Sequence, residues 1–549
     1  MPPSDTSAAA SQIPQLAPLL NLVRKALPVL ALSALVVYCL VGSCSVNTGS
    51  FKLLHNQLDN MIPEGANVFT ALRAAETGHL YRSFRESPYV VQSFGPLFYV
   101  FSTGVAHFAH LDMDLTLLHV REITYACYLL SGLCVFLICR KLHCSLAASL
   151  LATLMMLGQP DFLGWNVTVR PDMLMLLAML LSLFLALHMD EWPRIACILS
   201  GLFGGLAFLF KQPGAAVVIA IVAVLVLHKE FQKTSLFCAA AAFPVVLAFA
   251  GLLWHKEPFW EQYTAVGRCY WSLAEGMRFA GQAALDIVYI VPFFIGLAGF
   301  LAALRMGKSW HLIAAFTLFN GLVGLAGLPQ PGSNSNYYIP ALAGCSLLLP
   351  LALQFFQRQS YRALASVLIV PALLYAGYYG TQRNAGYLSF FQGPKGFSYA
   401  MLRPYRMISD VPLIGLRGHD PGLLDAFSIH SEELGGSWDS APVVGEIRQG
   451  RFDLIILKHL DTKVVYSPHV DVQRIVPSWR GISDFSPAVV EAINQNYDIH
   501  CSSIFSIVLK PKGRSLDISP DYFAKLFGRK CGTGLANKPP NLILRDNAR

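Results

Sequence analysis

Apolar residues fall along the first 380 positions in blocks of roughly 15–22, separated by short polar turns, and a helix of that length crosses a bilayer core. Eleven blocks are read as spans: 26–44, 118–139, 145–159, 171–189, 195–210, 213–228, 235–254, 285–304, 311–328, 338–356 and 363–380. Segment 94–110 (FGPLFYVFSTGVAHFAH) is also apolar, but it is short, broken by Gly95-Pro96, and carries His107 and His110. Past residue 380 the pattern changes. PLIGL (412–416), FDLIILK (452–458) and SIFSIVLK (503–510) read as buried strands, and Pro487 to Asn494 as a short helix. Asp420-Pro421-Gly422 marks a turn. The pattern predicts a polytopic α-helical membrane protein with a C-terminal α/β domain.

Composition agrees. Of 549 residues, 54% are hydrophobic and 13% charged, with mean hydropathy +0.49. A soluble chain carries about 25% charged residues, so an ordinary soluble enzyme is excluded, as are disordered, collagen-like and coiled-coil classes. Residues 1–383 hold 17 Asp/Glu and 22 Lys/Arg, and residues 384–549 hold 16 and 19, which doubles the charge density. The net charge of +8 is largely accounted for by basic residues at span ends. No basic tract with interleaved aromatics suggests nucleic acid. Most of the 12 cysteines lie in apolar runs as small core residues, and no Cys/His metal spacing occurs. Cys501 and Cys531 could pair if the tail is extracytoplasmic.

Charge also sets the topology. With 94–110 in the interface rather than crossing, the inner turns hold Arg24/Lys25, Arg140/Lys141, Arg194, Lys229/Lys233, Arg305/Lys308 and Arg358/Arg362, while the short outer turns hold only Arg170 and Lys211. The positive-inside rule selects this arrangement. It gives a cytoplasmic tail at 1–25, a membrane domain at 26–380, outer loops 45–117 and 255–284, and an extracytoplasmic domain at 381–549. The first span, long and without a small-residue cleavage site, is not read as a cleavable signal.

Ionisable groups near spans are functional candidates, and five sites converge on the outer face. Asp59 and Glu64 lie where Pro63 opens a helix with Val68, Leu72 and Ala75 at helical spacing and Gly78 as its stop. Glu64 suits catalysis or simply the positive helix end. Asp172, after Arg170-Pro171, suits a cap or a site residue. Lys211 either snorkels or holds a phosphate. Asn334, Asn336, Tyr337 and Tyr338 open the tenth span, and Arg82 and Arg85 lie in the interfacial stretch Tyr81 to Tyr99. Carboxylates beside cations at a membrane groove suit transfer from a lipid-linked phosphate donor: a carboxylate deprotonates the acceptor hydroxyl and cations neutralise the leaving phosphate.

These residues resemble the GT-C glycosyltransferases, which include protein O-mannosyltransferases, lipid-A aminoarabinose transferases and bacterial lipopolysaccharide-core transferases. PEGANVFTALRAAETGHLY (63–81) and GPLFYV (95–100) are similar in order and spacing to the family's two juxtamembrane helices. Asp172 resembles the second acidic residue, Lys211 the lysine after the fifth span, and Tyr337-Tyr338 with Pro340 the late tyrosine-proline stretch. Where many members have Asp-Glu side by side, this chain has Pro63-Glu64, with Asp59 the nearest aspartate. The resemblance implies inverting transfer of a hexose or pentose from a polyprenyl-phosphate donor to a lipid, glycan or protein acceptor. Glu64 or Asp59 would be the general base, and Asp172 would orient the site or help bind a cation. Lys211 with Arg82 or Arg170 would hold the phosphate, and Asn336, Tyr337 and Tyr338 would line the site. It further implies a bacterial inner membrane with a periplasmic tail domain. It implies no certain cofactor but allows a divalent cation, which some relatives use, though no ligand cluster here demands one. The rivals are a flippase for a lipid-linked saccharide, which predicts inverted repeats that the sequence lacks, and a non-catalytic membrane subunit whose working part is the tail.

Overall fold

The computed structural model describes residues 13–60, 64–268, 271–330, 335–358, 362–391, 397–419, 421–457, 485–502 and 506–527. Fifteen helices come first: α1 (Ile13–Leu54), α2 (Glu64–Thr77), α3 (Pro96–Phe108), α4 (Met113–Lys141), α5 (Leu146–Leu157), α6 (Asp172–Ala186), α7 (Pro193–Phe210), α8 (Ala215–Leu227), α9 (Phe231–Trp254), α10 (Phe259–Arg268), α11 (Leu273–Leu285), α12 (Ile287–Ala303), α13 (Lys308–Gly327), α14 (Ile339–Arg358) and α15 (Arg362–Phe391). The C-terminal unit follows with β1 (Met407–Ser409), α16 (Pro412–Gly415), α17 (Ala426–Leu434), α18 (Ala441–Arg448), β2 (Leu454–Leu457), α19 (Pro487–Asn496), β3 (Tyr497–Ser502), β4 (Ile507–Pro511) and α20 (Pro520–Phe527).

Each of the eleven apolar blocks forms a helix. Among the described residues, six helices are long and apolar enough to cross a membrane alone, or eight counting two bent pairs as one span each; Asp172–Ala186 and Gln212–Leu227 are shorter. Polar caps start several of them: Asp112 accepts from the Leu115 amide at 2.8 Å, Ser145 from Ala148 at 3.2 Å, and Asp286 from Val288 at 3.0 Å. Large apolar side chains stay exposed on the bundle's outside, such as Phe243, Val246 and Leu247 of α9, as a lipid-facing surface requires. The end opposite the C-terminal unit carries an ion-pair network in which Lys308 meets Asp190 and Glu230 at 2.9 and 2.6 Å, joined by Lys233.

Segment 94–110 is a 13-residue helix, α3, about 20 Å long and too short to span. It packs on α2, α4 and α7. Helix α2 ends at Gly78, whose φ of +76° is the left-handed stop expected there; Pro63 itself lies outside the described residues. The loop 255–284 forms α10 and α11, and α10 clasps the first loop. Glu257 accepts from the amides of Leu80 and Tyr81 at 3.1 and 2.8 Å, and the Gln262 amide group donates to the Arg82 carbonyl at 2.7 Å.

The C-terminal unit holds a four-stranded sheet in the order β1-β2-β4-β3, with β1 and β2 parallel and the other pairs antiparallel. Leu454–Leu457 is buried at every position because both faces are covered. One face packs with Phe84, Tyr89 and Val91 of the first loop, the other with Leu58 and Phe523. The strands expected at 452–458 and 503–510 are present as β2 and β4, and the helix at Pro487 as α19. PLIGL is not a strand: Pro412, with its fixed φ, sits in the first turn of the short helix α16. Asp420 lies outside the described residues. Cys501 is disulfide-bonded, while Cys531 lies outside them.

Candidate functional site

At the bundle end nearest the C-terminal unit, Asp172 opens α6 with its carboxylate fully buried. Its Oδ1 accepts from Lys211 Nζ at 2.7 Å and from Asn336 Nδ2 at 3.0 Å, and Arg170 Nε lies 3.4 Å from Oδ2. Lys211 caps α7 in an extended conformation, which turns its side chain across to α6. Its ammonium also lies 4.7 Å from the centre of the Tyr337 ring. The Arg170 guanidinium sits between Trp165 and Phe94, 4.9 and 5.0 Å from their centres, and Trp165 donates to Ser335 Oγ at 3.2 Å. Two cations thus surround one carboxylate where the dielectric is low, and each is held in place by aromatic faces. Asp172 Oδ2 and Asn336 Oδ1 are buried without a hydrogen-bond partner among the described residues. Such a cluster suits an anion that exchanges into contact with Lys211 and Arg170.

A second buried cluster shapes the first. Glu64 is wholly buried and accepts from four N–H groups: Arg121 Nε and Nη2 at 2.8 and 2.6 Å, the Asn60 amide at 2.7 Å, and the Val169 amide at 2.8 Å. Arg121 continues to the carbonyls of Asn56 and Leu58. Asn60 Nδ2 reaches the Val167 carbonyl at 2.6 Å and Asn67 Nδ2 the Val169 carbonyl at 2.8 Å. The start of α2, with Asn60 just before it, therefore grips the irregular turn leading to Arg170 and Asp172. This gives Glu64 a holding role, with both oxygens occupied. Asp59 is likewise engaged, accepting from the Gly65 amide at 2.6 Å and from Leu413 of α16 at 2.8 Å. Burial, and next the Glu64 charge, push its carboxyl up to about 7 against those two amides. Gly65 permits this contact, since a Cβ there would meet the Leu413 nitrogen at 2.4 Å.

The remaining expected residues divide. Tyr337 belongs to the Asp172 cluster, whereas Tyr338 packs with Tyr289, Phe293 and Leu342 in a separate ring cluster. Arg82 turns to the carbonyls of Glu86 and Ser87 at 3.0 and 2.7 Å, so it does not join Lys211. Asn334 lies outside the described residues. Sequence reading missed Arg121, Trp165 and Phe94. A charge inside the apolar run of α4 was the available signal for Arg121; the two aromatics had none. Among the described residues, no group of three or more His, Cys, Asp or Glu could hold a metal ion. Lys211 and Arg170 beside Asp172 disfavour a further cation there.

Residues 101–254 match the family described as dolichyl-phosphate-mannose-protein mannosyltransferase. No curated protein matches the chain. Among solved structures, the fold is similar to ArnT from Cupriavidus metallidurans bound to undecaprenyl phosphate, with TM-score 0.53 and 12% identity, over 87% of this chain and 97% of that one. It is also similar to apo ArnT from the same organism, with TM-score 0.54 and 12% identity, over 86% and 97%. The fold of the chain is thus that of these two ArnT structures.

Proposed function

We propose that the chain transfers a sugar from a polyprenyl-phosphate donor to an acceptor hydroxyl at the membrane face that carries the C-terminal unit, with inversion and a carboxylate general base. The observation that carries this reading is the buried Asp172–Lys211–Arg170–Asn336 cluster at the bundle's end. The relative with a similar fold was solved with undecaprenyl phosphate bound, which supports a lipid phosphate as the anion. Lys211 and Arg170 neutralise the phosphate as it leaves, Tyr337 and Phe94 flank them, and Asp172 orients both cations. The donor site and residues 381–549 face the extracytoplasmic side of a bacterial inner membrane, in keeping with the basic turns at the opposite end.

The test is sugar transfer in membranes supplied with radiolabelled sugar precursors, comparing the unmodified protein with Asp172→Asn and Lys211→Ala at matched protein levels. A labelled product made only by the unmodified protein supports the reading. Equal product from all three removes this cluster from the reaction.

A further inference from the structure

Helix α15 joins the two halves of the anion site. Three positions on one of its faces meet the turn that leads to Arg170 and Asp172. Gly380 lies so close to that turn that a Cβ would sit 2.7 Å from Pro160 Cγ. Arg383 Nη2 lies 2.9 Å from Asp161 Oδ1, and the Tyr387 hydroxyl donates to the Asn60 carbonyl. Tyr387 also packs on Gly164, where φ is +87° and a Cβ would fall 2.2 Å from the Tyr387 hydroxyl oxygen. Glu64 and Asn60 hold the same turn from the side of α2. The turn is thus gripped from two sides.

The other half of the site, Asn336 and Tyr337, lies in the short turn Ser335–Tyr338. There the Tyr338 ring packs against Tyr289 of α12, with 5.8 Å between ring centres. One turn before Tyr289, Asp286 caps α12 with one oxygen, and its other oxygen lies 3.3 Å from Arg383 Nη1. Arg383 therefore bridges two carboxylates. Asp161 belongs to the turn that carries Arg170 and Asp172; Asp286 belongs to the helix against which the Asn336–Tyr337 turn packs. The two turns also meet directly, where Trp165 donates to Ser335 at 3.2 Å beneath the Arg170 guanidinium.

We propose that Arg383 is a positioning residue for the lipid phosphate, fixing the gap between Arg170 on one turn and Asn336 and Tyr337 on the other. This rests on the transferase reading. Its ion pairs are to Asp161 and Asp286, so it acts on the site through the two turns. Asp161 is buried and Asp286 mostly so. With the guanidinium gone, two like charges would face each other where the dielectric is low, and the turns would part.

The experiment uses purified full-length protein, with three readouts: the Kd and number of sites for undecaprenyl phosphate, thermal unfolding, and sugar transfer in the membrane assay above. Arg383→Gln is expected to raise Kd about tenfold on folded protein, because a small displacement of the binding groups is costly. The neutral triple variant, Arg383→Gln with Asp161→Asn and Asp286→Asn, removes the repulsion and is expected to return Kd to within about threefold of the unmodified protein. A merely structural role would lower the number of sites and leave Kd alone, and that result overturns the proposal. So does a triple variant as weak as Arg383→Gln, which would mean that Arg383 touches the phosphate itself. Should Arg383→Gln fail to fold, Asp286→Asn carries the test: asparagine keeps the cap of α12, and Kd is expected to rise about threefold. An unchanged Kd there overturns the proposal. An unmodified protein that binds the lipid phosphate but transfers no sugar sinks the transferase reading while the Kd values still judge Arg383; one that does not bind it sinks both.

Discussion

Glu64 and Arg121 form a closed, two-point pair with no exposure to solvent, and the same Glu64 oxygen that meets Arg121 Nε also holds the Val169 amide. A charge pair therefore fixes the backbone turn that presents Arg170 and Asp172. Removing one member leaves the other charged and buried. Arg121→Met or Glu64→Gln is expected to cost about 3–5 kcal/mol, and the double substitution less than the sum. Thermal unfolding of the four proteins in detergent checks this.

Lys211 provides a charged contact to the anion site. Lys211→Met should weaken undecaprenyl phosphate binding about 10–100-fold, the equivalent of one charge-assisted hydrogen bond. Because it also strands Asp172, the pair Lys211→Met with Asp172→Asn should recover folding while binding stays weak. Equilibrium binding and melting, measured together, separate the two effects.

The two neighbouring tyrosines should behave oppositely. Tyr337→Ala removes the ring beside Lys211 and is expected to lower lipid-phosphate affinity about 3–10-fold, whereas Tyr337→Phe keeps the ring and most of the affinity. Tyr338→Ala opens a cavity among Tyr289, Phe293 and Leu342 and should cost about 3–5 kcal/mol in stability.

Gly95 lies against the end of α7, its amide donating to the Phe210 carbonyl at 3.2 Å. A Cβ there would sit 2.0 Å from the Leu209 carbonyl oxygen. Gly95→Ala should push Phe94 and Lys211 apart and reduce transfer more than it reduces protein level, as membrane assays at matched expression would record.

Asp425 makes stability depend on pH. Its carboxyl gives up its proton near 6 when folded and at 3.8 when exposed. The folded state thus holds the extra proton between those values, and the contribution is complete below the lower and gone above the higher. Asp425→Asn does not titrate, so its stability relative to the unmodified protein should rise from pH 4 to pH 8 by on the order of 3 kcal/mol. Melting curves across that range check the sign.

The apolar helices were legible because burial in lipid demands long uninterrupted runs, and the short helix at 96–108 was legible from its length and its Gly-Pro break. Lys211, Asp172, Arg170 and Asn336 could be picked out as polar groups at span ends, though not their mutual contact. Glu64 is legible but its partner is not, since the charge of Arg121 inside the apolar run 118–139 marks a special residue without saying what it meets. The tail was harder. Strand β1 has three residues, β3 (YDIHCS) mixes polar and apolar positions without clear alternation, and PLIGL suits strand or helix until a neighbour decides.

Each face of the C-terminal sheet takes part of its cover from the first loop, Leu58 on one side and Phe84, Tyr89 and Val91 on the other. The unit is therefore not portable. Cut from the chain, it would lose a patch of cover on each face; grafted onto another membrane scaffold, it would need that loop to travel with it. The order of synthesis follows: the loop emerges hundreds of residues before the sheet that it completes, so the chain reaches its working shape only when its last strands have arrived.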